Sequence, residues 1–163
     1  MAEAEPIVSK WRLQFDPSAA AGVPAHVTLL YPFKPSELID QTLIDELAAF
    51  FEEWPPFDSE FKRTDRFGSE VLWLAPEPAE AFRSLTVALV EKYPEFPPYG
   101  GDYGDITPHL TVAHASHGGD IERIDEGVSQ SLPISSTVKD VWLMEEGVDG
   151  RWRKRAEFPL GGW

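Results

Sequence analysis

The chain has no cysteine, which excludes disulfide cross-links and thiolate metal centres. Positive charge is scarce as well. Against 28 Asp and Glu stand only 14 Lys and Arg, a formal net charge of −14 over 163 residues. Holding a long duplex nucleic acid requires many phosphates to be neutralised by Lys and Arg, so that class of partner is excluded. A small phosphorylated ligand, or one end of an RNA, needs only a few groups in a pocket and stays open. Apolar runs are short, and none approaches the ~20 residues that span a bilayer. The first residues, Met1-Ala2-Glu3-Ala4-Glu5-Pro6, lack the basic-then-apolar order of a signal peptide. A cytoplasmic monomer without membrane contact is the expectation.

What is present is ordinary in bulk. Apolar residues make up 42% and charged residues 26%, the balance of a globular protein. The length suits one domain, residues 1–163, built as two small lobes sharing a core. Fifteen Pro and twelve Gly predict short elements and many turns.

Two stretches stand out because they repeat each other: Pro24-Ala25-His26-Val27-Thr28-Leu29 and Thr107-Pro108-His109-Leu110-Thr111-Val112. On a strand, side chains alternate between faces, so His26 and Thr28 point one way while Val27 and Leu29 point the other. The same holds for His109 and Thr111 against Leu110 and Val112. His114-Ala115-Ser116 fits a looser version of the pattern, but His117 follows where an apolar residue would be needed.

Around these stretches the pattern predicts a strand over residues 7–15, the first histidine strand over 25–31, and a helix through Ile39, Leu43, Leu47, Phe50 and Trp54 with Ser36 as N-cap. A hairpin over 57–67 and 71–75 follows, then a helix over 79–92 with Phe82, Leu85, Thr86 and Leu89 inward. Residues 94–105 form a loop before the second histidine strand. Asp120 caps a third helix, and residues 134–146 with 151–160 read as a last hairpin. Each half thus runs histidine strand, helix and hairpin. The expected fold is α+β and bilobal: two pseudo-twofold antiparallel sheets with helices on their outer faces and a central cleft lined by His26, Thr28, His109 and Thr111.

Two imidazoles facing one centre can act as general base and general acid in a single displacement, because their unperturbed titration lies near pH ~6.5. A threonine hydroxyl beside each can donate to a non-bridging phosphate oxygen as charge develops there. No metal or other cofactor is required. A zinc cluster of His109, His114 and His117 is the competing reading, but one strand face cannot present all three and the spacing matches no common zinc motif.

The paired motifs His26-Val27-Thr28-Leu29 and His109-Leu110-Thr111-Val112 resemble the signature of the 2H phosphoesterase superfamily. The longer wording, His26-Val27-Thr28-Leu29-Leu30-Tyr31-Pro32-Phe33 and Pro108-His109-Leu110-Thr111-Val112-Ala113, is similar to its 2′-5′ RNA ligase-like branch. The resemblance implies a metal-independent phosphodiesterase acting on 2′,3′-cyclic or 2′,5′-linked ribose phosphates, with His26 and His109 catalytic and Thr28 and Thr111 on the phosphate. A 2′-5′ RNA ligase, or a non-catalytic binder of nucleotides or RNA ends, are the alternatives. One departure is visible: relatives in this branch often carry arginine where His114 stands, and alternation would turn His114 away from His109.

Other candidates are less defined. Tyr31 and Tyr103 are placed to stack on a base. Arg66 and the run Arg151-Trp152-Arg153-Lys154-Arg155 are the candidates for steering a phosphate, although alternation splits the run between two faces. Trp73 and Trp142 are expected in the core.

Overall fold

The computed structural model describes residues 1–101 and 106–162. Five helices, α1 (Glu5–Phe15), α2 (Pro17–Ala20), α3 (Gln41–Glu52), α4 (Glu80–Lys92) and α5 (Ile121–Ser129), accompany six strands: β1 (Phe57–Phe67), β2 (Val71–Glu77), β3 (Leu110–His114), β4 (Ile134–Val138), β5 (Asp140–Glu146) and β6 (Trp152–Pro159). The fold is α+β with two antiparallel sheets, one of four strands in the order β3-β2-β1-β4 and one of two, β5-β6. Among the described residues, no helix is long and apolar enough to cross a membrane.

Residues 7–15 correct the sequence reading, for they lie in helix α1 and not in a strand. A strand would put Leu13 on one face with Trp11 and Phe15, yet Leu13 is exposed. The spacing of four that joins Ala4, Val8 and Arg12, and equally Ile7, Trp11 and Phe15, is the signal that wins. The first row is buried, and the second packs against the same core. Pro6 falls in the first turn, where it costs no hydrogen bond.

One core lies between the four-stranded sheet and helices α1 and α5, with Phe61, Leu72, Leu74, Leu110, Val112, Ile121, Ile124 and Val128 at its centre. The other gathers Leu43, Leu47 and Phe51 of α3 and Phe82, Leu85 and Leu89 of α4 under Phe158, whose ring stacks on Phe51 with centroids 5.5 Å apart. Val27, in the first histidine motif, packs against both cores.

Helix α4 has its expected inward residues Phe82, Leu85, Thr86 and Leu89 buried. Asp120 caps α5 by accepting the Arg123 N–H at 3.1 Å. The cap of α3 is Asp40, which accepts the Leu43 N–H at 2.9 Å; Ser36 instead opens a separate 3₁₀ turn, Ser36–Leu38. The expected last hairpin divides. Residues 140–146 and 152–159 pair as predicted, but β4 leaves them to pair with β1. Trp73 is core, whereas Trp142 lies on the open face of β5 and is 42% exposed, contrary to expectation. There Lys154 Nζ sits 4.0 Å above its ring.

Two bulges govern which side chains reach which face. In β1 the register slips between Phe61 and Arg63. Thr64 and Arg66 therefore join the face of Phe61 that looks at α5, while Arg63 moves to the opposite face. In the β2–β3 pair, Leu72 faces Ala113 and Trp73 faces Thr111, so Val112 is the extra residue, and both Val112 and Ala113 enter the core.

Candidate active site

Each histidine is prepared by its own backbone. His26 Nδ1 lies 2.8 Å from the Pro24 carbonyl, and His109 Nδ1 lies 2.7 Å from the Thr107 carbonyl. A carbonyl can only accept, so in both rings the proton sits on Nδ1 and the lone pair of the neutral ring is on Nε2. The same contact, to the residue two before, occurs in both motifs. Pro24 and Thr107 thus have a function within the repeat that spacing alone did not show.

The surroundings differ. His109 directly precedes β3, and its ring meets Phe67 edge-on at 4.9 Å and Trp73 at 5.9 Å, while Phe67 and Trp73 stack on each other at 4.9 Å. Thr111 lies opposite Trp73 in the ladder, so His109, Thr111, Trp73 and Phe67 share the sheet face turned away from α5. His26 lies in a segment that joins no sheet, contrary to the expected strand. Its backbone is engaged elsewhere: the Ala25 N–H donates to the Glu5 carboxylate, and the Tyr31 carbonyl accepts from the Tyr99 N–H at 2.6 Å. The intended outcome of alternation survives, with Ala25 buried and Val27 and Leu29 packed inward.

Burial holds both imidazoles below their ordinary value near 6.5, and the Nδ1–carbonyl bond works in the opposite direction. At His26 the Arg12 guanidinium adds to the lowering and the Asp16 carboxylate opposes it. Both rings are therefore neutral at pH 7 without a ligand, and a phosphate anion between them would raise their proton affinity. The Thr28 and Thr111 hydroxyls make no hydrogen bond to another described residue.

The two motifs are tied together by a residue of helix α1. Arg12 is 1% exposed. Its Nε donates to the Thr111 carbonyl at 3.0 Å and its Nη1 to the Val23 carbonyl at 3.2 Å. Asp16 Oδ2 accepts from Nε at 3.0 Å and from Nη2 at 2.8 Å. The signal available beforehand was the i,i+4 spacing of Arg12 and Asp16 on a helix.

Of the remaining candidates, Tyr31 is 51% exposed and meets Trp152 edge-on at 6.1 Å, on the side of the first motif. Arg66 points the other way. It lies on the α5 face of the sheet, bonded to Glu122 and Asp125 at 2.9 Å each, and so is drawn away from His109. Arg153 pairs with Asp149, Lys154 with Glu157 and Arg155 with Glu145, which fits a solvated edge better than a phosphate track. Tyr103 lies outside the described residues. His114 corrects the alternation reading: the bulge at Val112 resets it, placing His114 opposite Val71 on the Thr111 side of the ladder. Its Nε2 is 4.0 Å from Asp16 Oδ1.

Among the described residues, no three His, Asp or Glu side chains are grouped to hold a metal ion. A wide concavity of about 960 Å³ opens beside β1 and β4, but Glu3, Asp58, Glu60, Glu77 and Glu80 outnumber Lys62 and Arg63 on its walls. That balance repels a phosphate anion.

Comparison with known proteins bears on the family and the fold. The model of the 2′-5′ RNA ligase superfamily matches residues 2–150. A curated putative phosphoesterase of Geobacillus kaustophilus is 25% identical over 161 residues, covering 94% of this chain and 88% of its own. Among solved structures, Escherichia coli LigT complexed with 3′-AMP aligns with a TM-score of 0.59 at 18% identity, over 98% of this chain and 92% of LigT. TT0787 of Thermus thermophilus aligns at 0.58 and 20% identity, over 99% and 94%.

Proposed function

Because this chain belongs to the 2′-5′ RNA ligase superfamily of 2H phosphoesterases, we propose that it is a phosphodiesterase that opens 2′,3′-cyclic or cleaves 2′,5′-linked ribose phosphates, with His26 and His109 as its acid–base pair. The observation that carries the reading is the matched preparation of the two rings: each holds its Nδ1 proton on a carbonyl two residues back and leaves Nε2 for proton transfer. The 3′-AMP complex of LigT supports a nucleotide monophosphate as the kind of ligand such a fold accepts.

In the proposed reaction one neutral Nε2 takes a proton from water. The water oxygen attacks phosphorus, the bond from phosphorus to one ribose oxygen breaks, and the leaving oxygen takes the proton carried by the other Nε2. Thr28 and Thr111 donate to the non-bridging oxygens, where negative charge concentrates in the transition state. The phosphate itself recruits the proton for the acid, by raising the proton affinity of the buried ring beside it. No step draws on a metal. A scarcity of free positive charge near the site suits a mononucleotide or a short RNA end more than a long strand.

The test is hydrolysis of the four 2′,3′-cyclic mononucleotides and of a 2′,5′-linked dinucleotide in EDTA, by the wild type and by His26→Ala and His109→Ala. Turnover lost in either variant is the expected result. Nucleotide binding without turnover on any of these substrates would reassign the protein as a binder. A strict requirement for a divalent metal would overturn the mechanism.

A further inference from the structure

We propose, building on the phosphodiesterase reading, that Arg12 is a positioning residue: its guanidinium sets the separation and orientation of the two histidine motifs. Arginine is almost never buried to this degree unless it is paired, and here the pairing has a particular pattern. One edge of the fork is anchored on Asp16, whose Oδ1 also accepts the Ser18 N–H at 3.0 Å and the Ser18 hydroxyl at 2.8 Å. Nη2 donates to the Ser18 hydroxyl as well, at 3.1 Å. Nε, shared with Asp16, also reaches the Thr111 carbonyl in the second motif, and Nη1 reaches the Val23 carbonyl just before the first.

Those carbonyls are well placed to transmit position. Val23 directly precedes Pro24, whose own carbonyl holds His26 Nδ1. Thr111 is the phosphate-donor candidate of the second motif, two residues after His109. The guanidinium is planar and rigid, so its acceptors are fixed relative to one another. The linkage is all the more needed because the His26 segment joins no sheet and has no strand neighbour to fix its register against β3. Stability alone does not call for such an arrangement: Val8 one turn earlier on α1, and Leu110 and Val112 on either side of the acceptor Thr111, are core residues, and a buried ion pair is usually no more stabilising than apolar residues of similar volume.

The charged and titratable groups acting on His26 are Arg12 and Asp16 of the α1 region and the amine of Met1. Replacing Arg12 therefore has two readouts that simple loss of packing would not produce. Arg12→Lys keeps a positive charge beside Asp16 but offers one nitrogen, which cannot hold both carbonyls in fixed directions. A misplacement of about 1 Å at a reacting group is worth roughly 10²-fold in rate, so the variant is expected to lose about 10²-fold in kcat with little change in KM. The second readout needs no turnover. Long-range ¹⁵N–¹H correlation spectra of the imidazoles report which nitrogen carries the proton, and the wild type is expected to show Nδ1–H in both His26 and His109, with His26 becoming a tautomer mixture in Arg12→Lys.

A folded Arg12→Lys variant with wild-type tautomers and wild-type kcat would overturn the proposal. So would a kcat loss that tracks the thermal midpoint and recovers on cooling, since that is the behaviour of a purely structural residue. If Arg12→Lys does not fold, Asp16→Asn, which leaves the arginine and loosens its anchor, must produce the same tautomer mixture at His26, and unchanged tautomers there refute the idea. Should the wild type hydrolyse none of the substrates, the phosphodiesterase reading falls, and the tautomer measurement still decides the role of Arg12.

Discussion

Replacing Thr111 by valine separates catalysis from folding more cleanly than any other single change at the site. The two side chains have nearly the same shape, and the Thr111 hydroxyl makes no hydrogen bond to another described residue, so its removal leaves no protein partner unsatisfied. The backbone carbonyl that receives Arg12 is untouched. On β3, valine has β-propensity at least equal to that of threonine, on a scale spanning about 1 kcal/mol. For a domain of this size 1 kcal/mol moves the thermal midpoint by roughly 2–4 °C, which bounds the expected change in Tm. The catalytic effect should be much larger. Loss of one donor aimed at a developing oxyanion costs about 2.7–4 kcal/mol, or roughly 10²–10³ in kcat. The assay is steady-state hydrolysis of a 2′,3′-cyclic mononucleotide followed by chromatography in EDTA, with thermal unfolding followed by circular dichroism on the same preparation. A kcat loss smaller than about tenfold, 1.4 kcal/mol, would refute the assignment of Thr111 to the phosphate. A rate loss matched by a collapse in Tm would refute the claim that its hydroxyl has no structural task.

Further outcomes follow from the same structure. Burial keeps His26, His109 and His114 below their ordinary value near 6.5 in the folded chain, so the unfolded chain takes up protons first as pH falls. Their contribution to stability is complete above that value, declines as pH drops through it, and stops declining below the folded-state values; urea titrations from pH 8 to pH 5 should show this slope, and His109→Gln should reduce it. Arg66→Gln should leave kcat/KM unchanged, because Arg66 is bonded to Glu122 and Asp125 on the face opposite His109, and a large rise in KM would restore it as a phosphate contact. Gly127→Ala in α5 should destabilise the fold by about 1 kcal/mol in urea unfolding, against the usual helix gain, since the new methyl would stand 2.9 Å from the Trp11 ring.

Much of the site was legible because it is written locally. The repeated His-x-Thr pattern with apolar intervening residues turns Val27 and Leu29 toward the core even though the first segment joins no ladder. The helices α3, α4 and α5 were legible for the same reason, through their 3.6-residue periodicity. Three features were not, and each depends on partners far away in the chain. Residues 7–15 satisfy both periodicities over nine positions, and only packing against β3 and α5 selects the helix. The bulges at Lys62 and Val112 reverse facing midway along a strand, so Arg66, a candidate for steering a phosphate, stands on the α5 face, and His114, turned away by plain alternation, stands on the Thr111 side. The i,i+4 spacing of Arg12 and Asp16 marks only their pairing; the bonds from Arg12 to two distant backbone carbonyls carry no sequence signal.

The central claim is that His26 and His109 act as one unit in one displacement, and a double-variant cycle tests it most directly. Hydrolysis of a 2′,3′-cyclic mononucleotide in EDTA would be measured for the wild type, His26→Gln, His109→Gln and the double variant, with folding checked for each. Residues that act as a unit lose nearly all their contribution when either is removed. Each single variant should therefore fall by a large factor, about 10²–10⁴ for loss of a positioned acid or base, and the double variant should be little slower than the worse single one. Losses that simply multiply, or a single variant that retains most of its activity, would contradict a shared acid–base pair.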